Sequence, residues 1–122
     1  MAENKVRATN EITSIGRLKI HDGKLEEYKR LAAEALESVR TKDSGTLQYD
    51  LFFNEDQTEC VFIERYRDSE ALLEHVANLG DLMEKILATA SGSGEILGTP
   101  SPELKKALEG YPVRAFYPYQ SL

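Results

Sequence analysis

Three polar side chains that are close in the sequence could carry acid–base chemistry. Glu64 and Tyr66 are two residues apart, so in an extended strand they share one face with Phe62. His75 follows on the apolar side of a predicted helix, which must fold back onto that strand to bury its leucines. Imidazole takes up or releases a proton near neutral pH. The spacing therefore predicts His75 as a base, with Glu64 and Tyr66 beside it.

Each of these residues also has a simpler interpretation. A histidine on an apolar helix face is commonly a core residue satisfied by one hydrogen bond. Glu64 could pair with an arginine of a neighbouring strand, and Tyr49 could be a core aromatic with a solvated hydroxyl. His21 lies in a polar turn, where we expect it to be solvated and inert. The residue types alone leave both interpretations of His75 open.

Other common chemistries lack their sequence patterns. The two histidines and the single cysteine, Cys60, are far apart and form no HxxxH, HExxH or CxxC spacing. The glycines at 92 and 94 are part of neither a GxGxxG fingerprint nor a phosphate-binding loop. Cys60 is in the middle of a predicted strand, where a buried thiol is the simpler interpretation. We therefore expect neither a metal nor a nucleotide cofactor.

Length and charge narrow the class of protein further. A chain of 122 residues with 15 basic and 21 acidic side chains is expected to form one domain. The basic residues do not cluster, which argues against binding to nucleic acid or to an anionic membrane. One cysteine cannot form an internal disulfide, and no apolar stretch has the length of a membrane span. Together these counts predict a cytoplasmic protein.

The elements that must position the polar cluster follow from the hydrophobic periodicity. Alternation predicts strands over 11–20, 47–53, 60–66 and 95–97, with a last strand over 113–119. Three-to-four spacing predicts helices over 25–39, 69–79 and 82–90, and Ser101-Pro102-Glu103 is a strong helix start. Asp22 and Asp68 are candidate N-caps. The residues from 91 to 94 resemble a flexible linker.

This order predicts an α+β protein. It is the ferredoxin-like split βαβ arrangement with an antiparallel sheet, extended by a short helix and an edge strand. We expect a flexible N-terminus over 1–9 and a ferredoxin-like domain over 10–98. We expect residues 99–122 to form a C-terminal helix and edge strand that are part of the same domain and contact the dimer partner.

Apolar residues fall on both faces of the predicted sheet. Val61 and Ile63 point away from Phe62, and Phe52 points away from Leu47, Tyr49, Leu51 and Phe53. Helices cover only one face of such a sheet, so a homodimer that packs sheet against sheet is the simplest cover for the other. Isolated exposed apolar residues are the alternative.

Three segments carry a resemblance to a known family. Residues 62–75, FIERYRDSEALLEH, resemble the signature of antibiotic biosynthesis monooxygenase domains, in which an E-x-Y-x-D strand end precedes a helix that carries a histidine. Residues 23–28, GKLEEY, and 45–50, GTLQYD, are similar to the same family in order and spacing. The resemblance extends over most of residues 12–97.

The resemblance implies a dimeric α+β barrel with a pocket between sheet and helices. It implies an oxygenase that acts on a quinol, an anthrone or a related electron-rich aromatic with O2 and without metal or flavin. On this hypothesis the catalytic residues are His75 as the base, Tyr66, which orients an oxygen atom, and Glu64, which fixes the tautomer of the imidazole. The implied substrate contacts are Asn10 for an oxyanion, Tyr49 for orientation, and an apolar wall that consists of Phe62, Leu72 and Val76.

The chain departs from the family pattern in two places. Many members carry a second histidine shortly after the first, where this chain has Asn78-Leu79-Gly80-Asp81. Haem-degrading members use a Trp at the position of His75, and this chain has no Trp. Family membership alone does not fix a reaction. A non-catalytic barrel that binds small ligands, or an isomerase of small oxygenated metabolites, therefore stays open as an alternative.

Overall fold

A mixed five-stranded sheet with four helices forms the protein in a computed structural model that describes residues 5–122. The strands and helices are β1 (Ile12–Ile20), α1 (Leu25–Lys42), β2 (Thr46–Phe53), β3 (Glu59–Tyr66), α2 (Ser69–Leu79), α3 (Leu82–Leu87), β4 (Ala90–Leu97), α4 (Pro102–Ala107) and β5 (Val113–Phe116). The spatial order is β2-β3-β1-β4-β5. The predicted ferredoxin-like order of elements is confirmed.

The last strand differs from the others in its direction. Strands β1 to β4 pair antiparallel, as predicted. Strand β5 pairs with β4 in parallel, because α4 carries the chain back across the sheet between them. The parallel edge makes the sheet mixed, and the sheet of the single chain is not closed into a barrel.

One face of the sheet packs against the helices and forms the core. Alternate residues of β1 point to this face, where Ile12 and Leu18 are buried. Helix α1 contributes Tyr28, Leu31 and Ala35, spaced at three to four residues as the predicted stripe requires. The core is therefore a layer between helices and sheet, and it surrounds the polar cluster on β3 and α2.

The prediction that Leu47 shares one face of β2 with Tyr49 is wrong, because the strand contains a β-bulge. The pairing with β3 shifts register between Thr46 and Gln48, so Leu47 does not share the inner face with Tyr49 and is 47% exposed. A bulge adds one residue to a strand and reverses the alternation beyond it. The simple period-2 pattern could not show this insertion.

The predicted flexible linker over 91–94 is wrong, since these residues lie inside β4 and pair with β1. Glycine is needed here because the two backbones are close. A Cβ added at Gly92 would lie 1.8 Å from the carbonyl oxygen of Arg17. The Ser-Gly repeat therefore marks close approach between strands rather than mobility.

Two of the three predicted helix starts are confirmed. Asp68 accepts a hydrogen bond from the backbone N–H of Ala71, and Ser101 accepts one from Leu104. Asp22 does not cap α1: the N-cap is Lys24, without a side-chain hydrogen bond. Gly23 has a positive φ of 77°, and the turn that it forms separates Asp22 from the first residues of α1.

Lys5 and Arg7 lie beside Ser121. The predicted loose segment over 1–9 falls partly outside the described residues. Within the described part, residues 5–9 are irregular and exposed. The backbone N–H of Ser121 donates to the carbonyl of Lys5, and the backbone N–H of Arg7 donates to the Ser121 hydroxyl.

No helix in residues 5–122 has the length and hydropathy needed to cross a membrane.

Gly16 provides a first test of the packing under the site. A Cβ added there would lie 1.9 Å from Cζ of Phe62, so the ring lies directly on the glycine. We expect Gly16→Ala to lower the free energy of unfolding by about 1–3 kcal/mol, measured by urea denaturation. In a Phe62→Leu background the same change should cost much less, because the shorter side chain leaves room. An equal cost in both backgrounds would contradict this contact.

Candidate active site

His75 is buried at the interface between α2 and the sheet. Its residue exposure is 3%, and the rings of Tyr49 and Tyr66 flank it with centroids 5.5 Å away. The helix stripe that predicted this position also buries Leu72 and Leu79. The imidazole therefore lies in a dry environment, held between aromatic rings.

A carboxylate fixes the orientation of that imidazole. His75 Nδ1 lies 2.8 Å from Oδ2 of Asp43, whose side chain is 1% exposed. Thr46 Oγ1 donates to the same oxygen at 2.7 Å, and Asn78 Nδ2 donates to the other at 2.9 Å. Because Asp43 only accepts when it is ionised, Nδ1 carries the proton and Nε2 is the free base of the neutral ring.

Hydrogen bonds keep Asp43 ionised despite its burial. Burial by itself would raise the pKa of this carboxyl. The donors Asn78, Thr46 and His75 outweigh that effect, and the pKa of Asp43 lies below its ordinary value of 3.8. At neutral pH the pair is thus an ionised Asp43 with a correctly oriented His75.

Glu64 faces the other side of the imidazole. Its Oε1 is 4.0 Å from His75 Nε2, beyond hydrogen-bond length, so Asp43 takes the place that was expected of Glu64 in holding the ring. Glu64 instead accepts a hydrogen bond from the Tyr66 hydroxyl. Burial raises the pKa of Glu64 above its ordinary value of 4.5, although Tyr66 and His75 act in the opposite direction. Burial also raises the pKa values of Tyr49 and Tyr66, which keeps both hydroxyls protonated.

These side chains lie at one end of a pocket between the sheet and the helices. The cavity has a volume of about 200 Å³ and includes Ser14, Tyr49, Glu64 and His75 in its lining. Most of the remaining lining is aliphatic or aromatic. A few polar groups at one end of an apolar pocket are typical of a small-molecule site.

The structure brings together seven of the eight residues that the sequence selects. His75, Glu64, Tyr49, Phe62, Leu72 and Val76 line the cavity, and Tyr66 contacts it through its hydrogen bond to Glu64. Asn10 does not join them. It is exposed and precedes β1, so it is outside the lining that was expected to hold an oxyanion.

Asp43 and Asn78 are functional candidates that the sequence reasoning missed. Asp43 looks like part of a connection, and Asn78 looks like an interruption of an apolar stripe. One signal for Asp43 exists: a carboxylate directly after the C-terminus of a helix is unfavourable next to the helix dipole. Its partner Asn78 is 35 residues away, and no local pattern joins the two.

Metal ligation has no geometric support in residues 5–122. There, no group of three or more His, Cys, Asp or Glu side chains is placed to hold an ion. Cys60 is a buried free thiol, and burial raises its pKa. His21 is exposed, as expected, and contacts the carbonyl of Ala88.

The fold agrees with that of known proteins. MupZ from Pseudomonas fluorescens superposes with a TM-score of 0.80 at 24% identity, covering 97% of this chain and 92% of its own. SnoaB from Streptomyces nogalater, described as a cofactor-independent oxygenase, gives 0.65 at 17% identity over 76% and 96%. Rv0793 from Mycobacterium tuberculosis gives 0.65 at 21% identity over 75% and 96%. No curated protein sequence matches the chain.

These similarities define the class as an α+β protein of the ferredoxin-like type. The family follows from the sequence itself. A family model described as antibiotic biosynthesis monooxygenase matches residues 11–86, more than half of the chain. The chain therefore belongs to the antibiotic biosynthesis monooxygenase family, as the resemblance of residues 62–75 implies.

Proposed function

We propose that this protein is a cofactor-independent monooxygenase that oxidises a quinol, an anthrone or a similar electron-rich aromatic with O2. The observation that carries the proposal is the Asp43–His75 pair at the polar end of an apolar pocket. It supplies a base of fixed tautomer where an aromatic ring fits. The family and the printed description of SnoaB agree with this chemistry.

The reaction draws its electrons from the substrate. His75 removes a proton from the enol or phenol, and the resulting anion transfers one electron to O2. The radical pair recombines at carbon to a peroxide, which loses water to leave a carbonyl. For a ring methylene group, one atom of O2 becomes the carbonyl oxygen. The other atom leaves as one water molecule that carries both methylene hydrogens, so atoms and electrons balance.

The neighbouring groups have distinct roles in this scheme. Asp43 holds the imidazole and stabilises its cationic form after proton transfer. Glu64 lines the pocket beside His75, and in its protonated form, which burial favours, it donates a hydrogen bond to the substrate oxygen. Ser14 lines the same pocket on β1, and we assign to its hydroxyl the oxyanion contact that was expected of Asn10.

Oxygen consumption tests this function directly. Metal-free protein is supplied with a panel of quinols and anthrones in an oxygen electrode, with autoxidation subtracted. We expect at least one substrate to consume one O2 per quinone formed. If no member of the panel reacts above its autoxidation rate, the monooxygenase assignment fails for this class.

An isomerase is a second candidate, favoured by one observation. Glu64 Oε1 and His75 Nε2 lie 4.0 Å apart, so a carboxyl and an imidazole, which can both give and take protons, contact one ligand. Such a pair can move a proton between two carbons of an oxygenated metabolite without O2. Turnover under argon, followed by solvent deuterium incorporation, would identify this activity. Strict dependence on O2 excludes it.

We also propose that the protein is a homodimer that packs through the open face of its sheet. On this face Val61 and Ile63 are only half-buried in the single chain, and Phe52 is 53% exposed. Adjacent apolar side chains on an uncovered sheet mark an interface, and a symmetric copy covers them most simply. A non-catalytic dimeric barrel would share this property.

The dimer gives a prediction of its own. Ile63→Glu places a charge in the centre of the open face, and we expect it to shift the species seen by light scattering from dimer to monomer. Arg40→Glu, on the exposed side of α1, should leave the dimer intact. A monomeric wild-type protein at micromolar concentration would contradict the proposal.

The proposed ligands are a small aromatic substrate and O2, and we propose no nucleic-acid or membrane partner. We also propose a cytoplasmic location, supported by the free thiol of Cys60.

A further inference from the structure

The C-terminal segment builds one wall of the pocket. Besides the polar residues, the lining includes Leu104, Ala107, Leu108, Tyr111 and Val113. All five follow residue 86, where the match to the family model ends. This part of the lining therefore lies outside the segment that defines the family.

The wall is fixed onto the rest of the protein. Leu104 is fully buried in one core cluster with Tyr66 and Leu72. The backbone N–H of Ser101 donates to Oγ of Ser69 at 3.0 Å, and this contact joins the start of α4 to the start of α2. Because α4 shares the core of the catalytic end, its position defines the size of the cavity.

The lining also constrains the charge of a ligand. Within the described part of the chain it contains no lysine or arginine, and its ionisable side chains are Glu64, His75 and three tyrosines. An anionic group bound there would meet a carboxyl and apolar surface, and of these ionisable groups only His75 is able to become cationic. Desolvation of an anion without a cation is costly.

The volume indicates more than a single ring. An apolar cavity of about 150 Å³ accommodates a benzene-sized ligand, and this one has about 200 Å³. The additional space is available to an apolar substituent or a second ring.

We propose that residues 104–113 select the ligand: a neutral phenol or enol whose oxygen lies at His75 and whose apolar substituent lies against α4. This inference rests on the proposed function, since it specifies the ligand class of the same pocket. Residues 104–113 thus act as a specificity wall, which distinguishes ligands by the length of their apolar substituent.

Binding of a 4-alkylphenol series tests the wall without any turnover. Calorimetry with phenol, 4-butylphenol and 4-hexylphenol is expected to show affinity that rises by up to roughly fourfold for each methylene buried. 4-Hexylbenzoate, which replaces the neutral hydroxyl by a carboxylate, should bind at least about tenfold more weakly than 4-hexylphenol. Equal affinity for phenol and 4-hexylphenol, or preference for the benzoate, overturns the proposal.

A pair of tryptophan variants locates the effect. Ala107→Trp places a large side chain in this wall. It should weaken the binding of 4-hexylphenol at least about tenfold while changing the affinity for phenol less than about twofold. Lys106→Trp adds the same side chain at the preceding position, which is exposed like Ala107 but lies outside the lining, and it should leave the affinities of the series unchanged. Equal losses in both variants overturn the assignment to α4. If affinity rises along the series but no O2 is consumed, the specificity wall is supported and only the proposed oxygenase activity fails. If O2 is consumed but affinity is the same for all members of the series, the oxygenase activity stands and the specificity wall is overturned.

Discussion

Replacing His75 by alanine is expected to lower kcat for the quinol or anthrone by about 10²- to 10⁴-fold, the usual contribution of a positioned proton-transfer group. Among the described residues of the pocket, the imidazole alone is held by a carboxylate, at 2.8 Å from Asp43, with its second ring nitrogen left free to accept a proton. Without it, the substrate anion forms only at its solution rate. The measurement is initial O2 consumption at saturating substrate.

Two further variants separate chemistry from folding in this experiment. His75→Gln can still donate an amide N–H to Asp43 but cannot act as a base, so we expect a folded protein that is equally inactive. His21→Ala removes the other, exposed histidine and should retain full activity. If His75→Gln turns over like the wild type, proton transfer by His75 is excluded.

Asp43→Asn is expected to lower kcat on the order of 10²-fold while leaving KM nearly unchanged. Both oxygens of Asp43 accept hydrogen bonds, and an amide replaces one of these acceptors by a donor. With the amide nitrogen towards His75, the ring turns or moves its proton from Nδ1 to Nε2. The free nitrogen then no longer faces the pocket. Asp43 acts through His75, so its role is positioning, and the ¹⁵N shifts of the imidazole should report the change of tautomer.

The exposed Asp50→Asn is the matched control for this variant. Asp50 lies on β2 and accepts from Gln48 at the surface, so activity and stability should stay as in the wild type. An unchanged imidazole tautomer together with full activity in Asp43→Asn would refute the positioning role.

Asp43 also predicts how stability depends on pH. Its folded pKa is lowered, so its ionised form stabilises the protein above the unfolded pKa, near 3.9. That contribution is lost as the pH falls through the folded value. The difference in Tm between wild type and Asp43→Asn should therefore shrink below about pH 4.

Much of the site could be predicted because it depends on local periodicity. Glu64 and Tyr66 share a face because a strand alternates, and His75 points inward because the helix stripe that includes Leu72 must be buried. Both rules involve residues close in the sequence. The resemblance of residues 62–75 rests on the same local pattern, which the family match confirms.

Other features depend on which strands and loops meet, and local patterns do not contain that information. Asp43 reaches His75 across 32 residues. Residue 92 is a glycine because the Arg17 backbone approaches it within a pair of strands, although the Ser-Gly repeat by itself resembles a linker. The bulge at Leu47 is an insertion relative to β3 and is visible only in the pairing.

The sequence by itself determined the order of elements, the family and the inward position of His75, because burial of apolar faces enforces each of them within one element. The tertiary structure alone decided that Asp43 orients the imidazole, that Asn10 lies outside the pocket, and that side chains from residues 104–113 line it. These are contacts between distant segments, and their free energy depends on how the helices and the sheet pack together rather than on any single stretch of the chain.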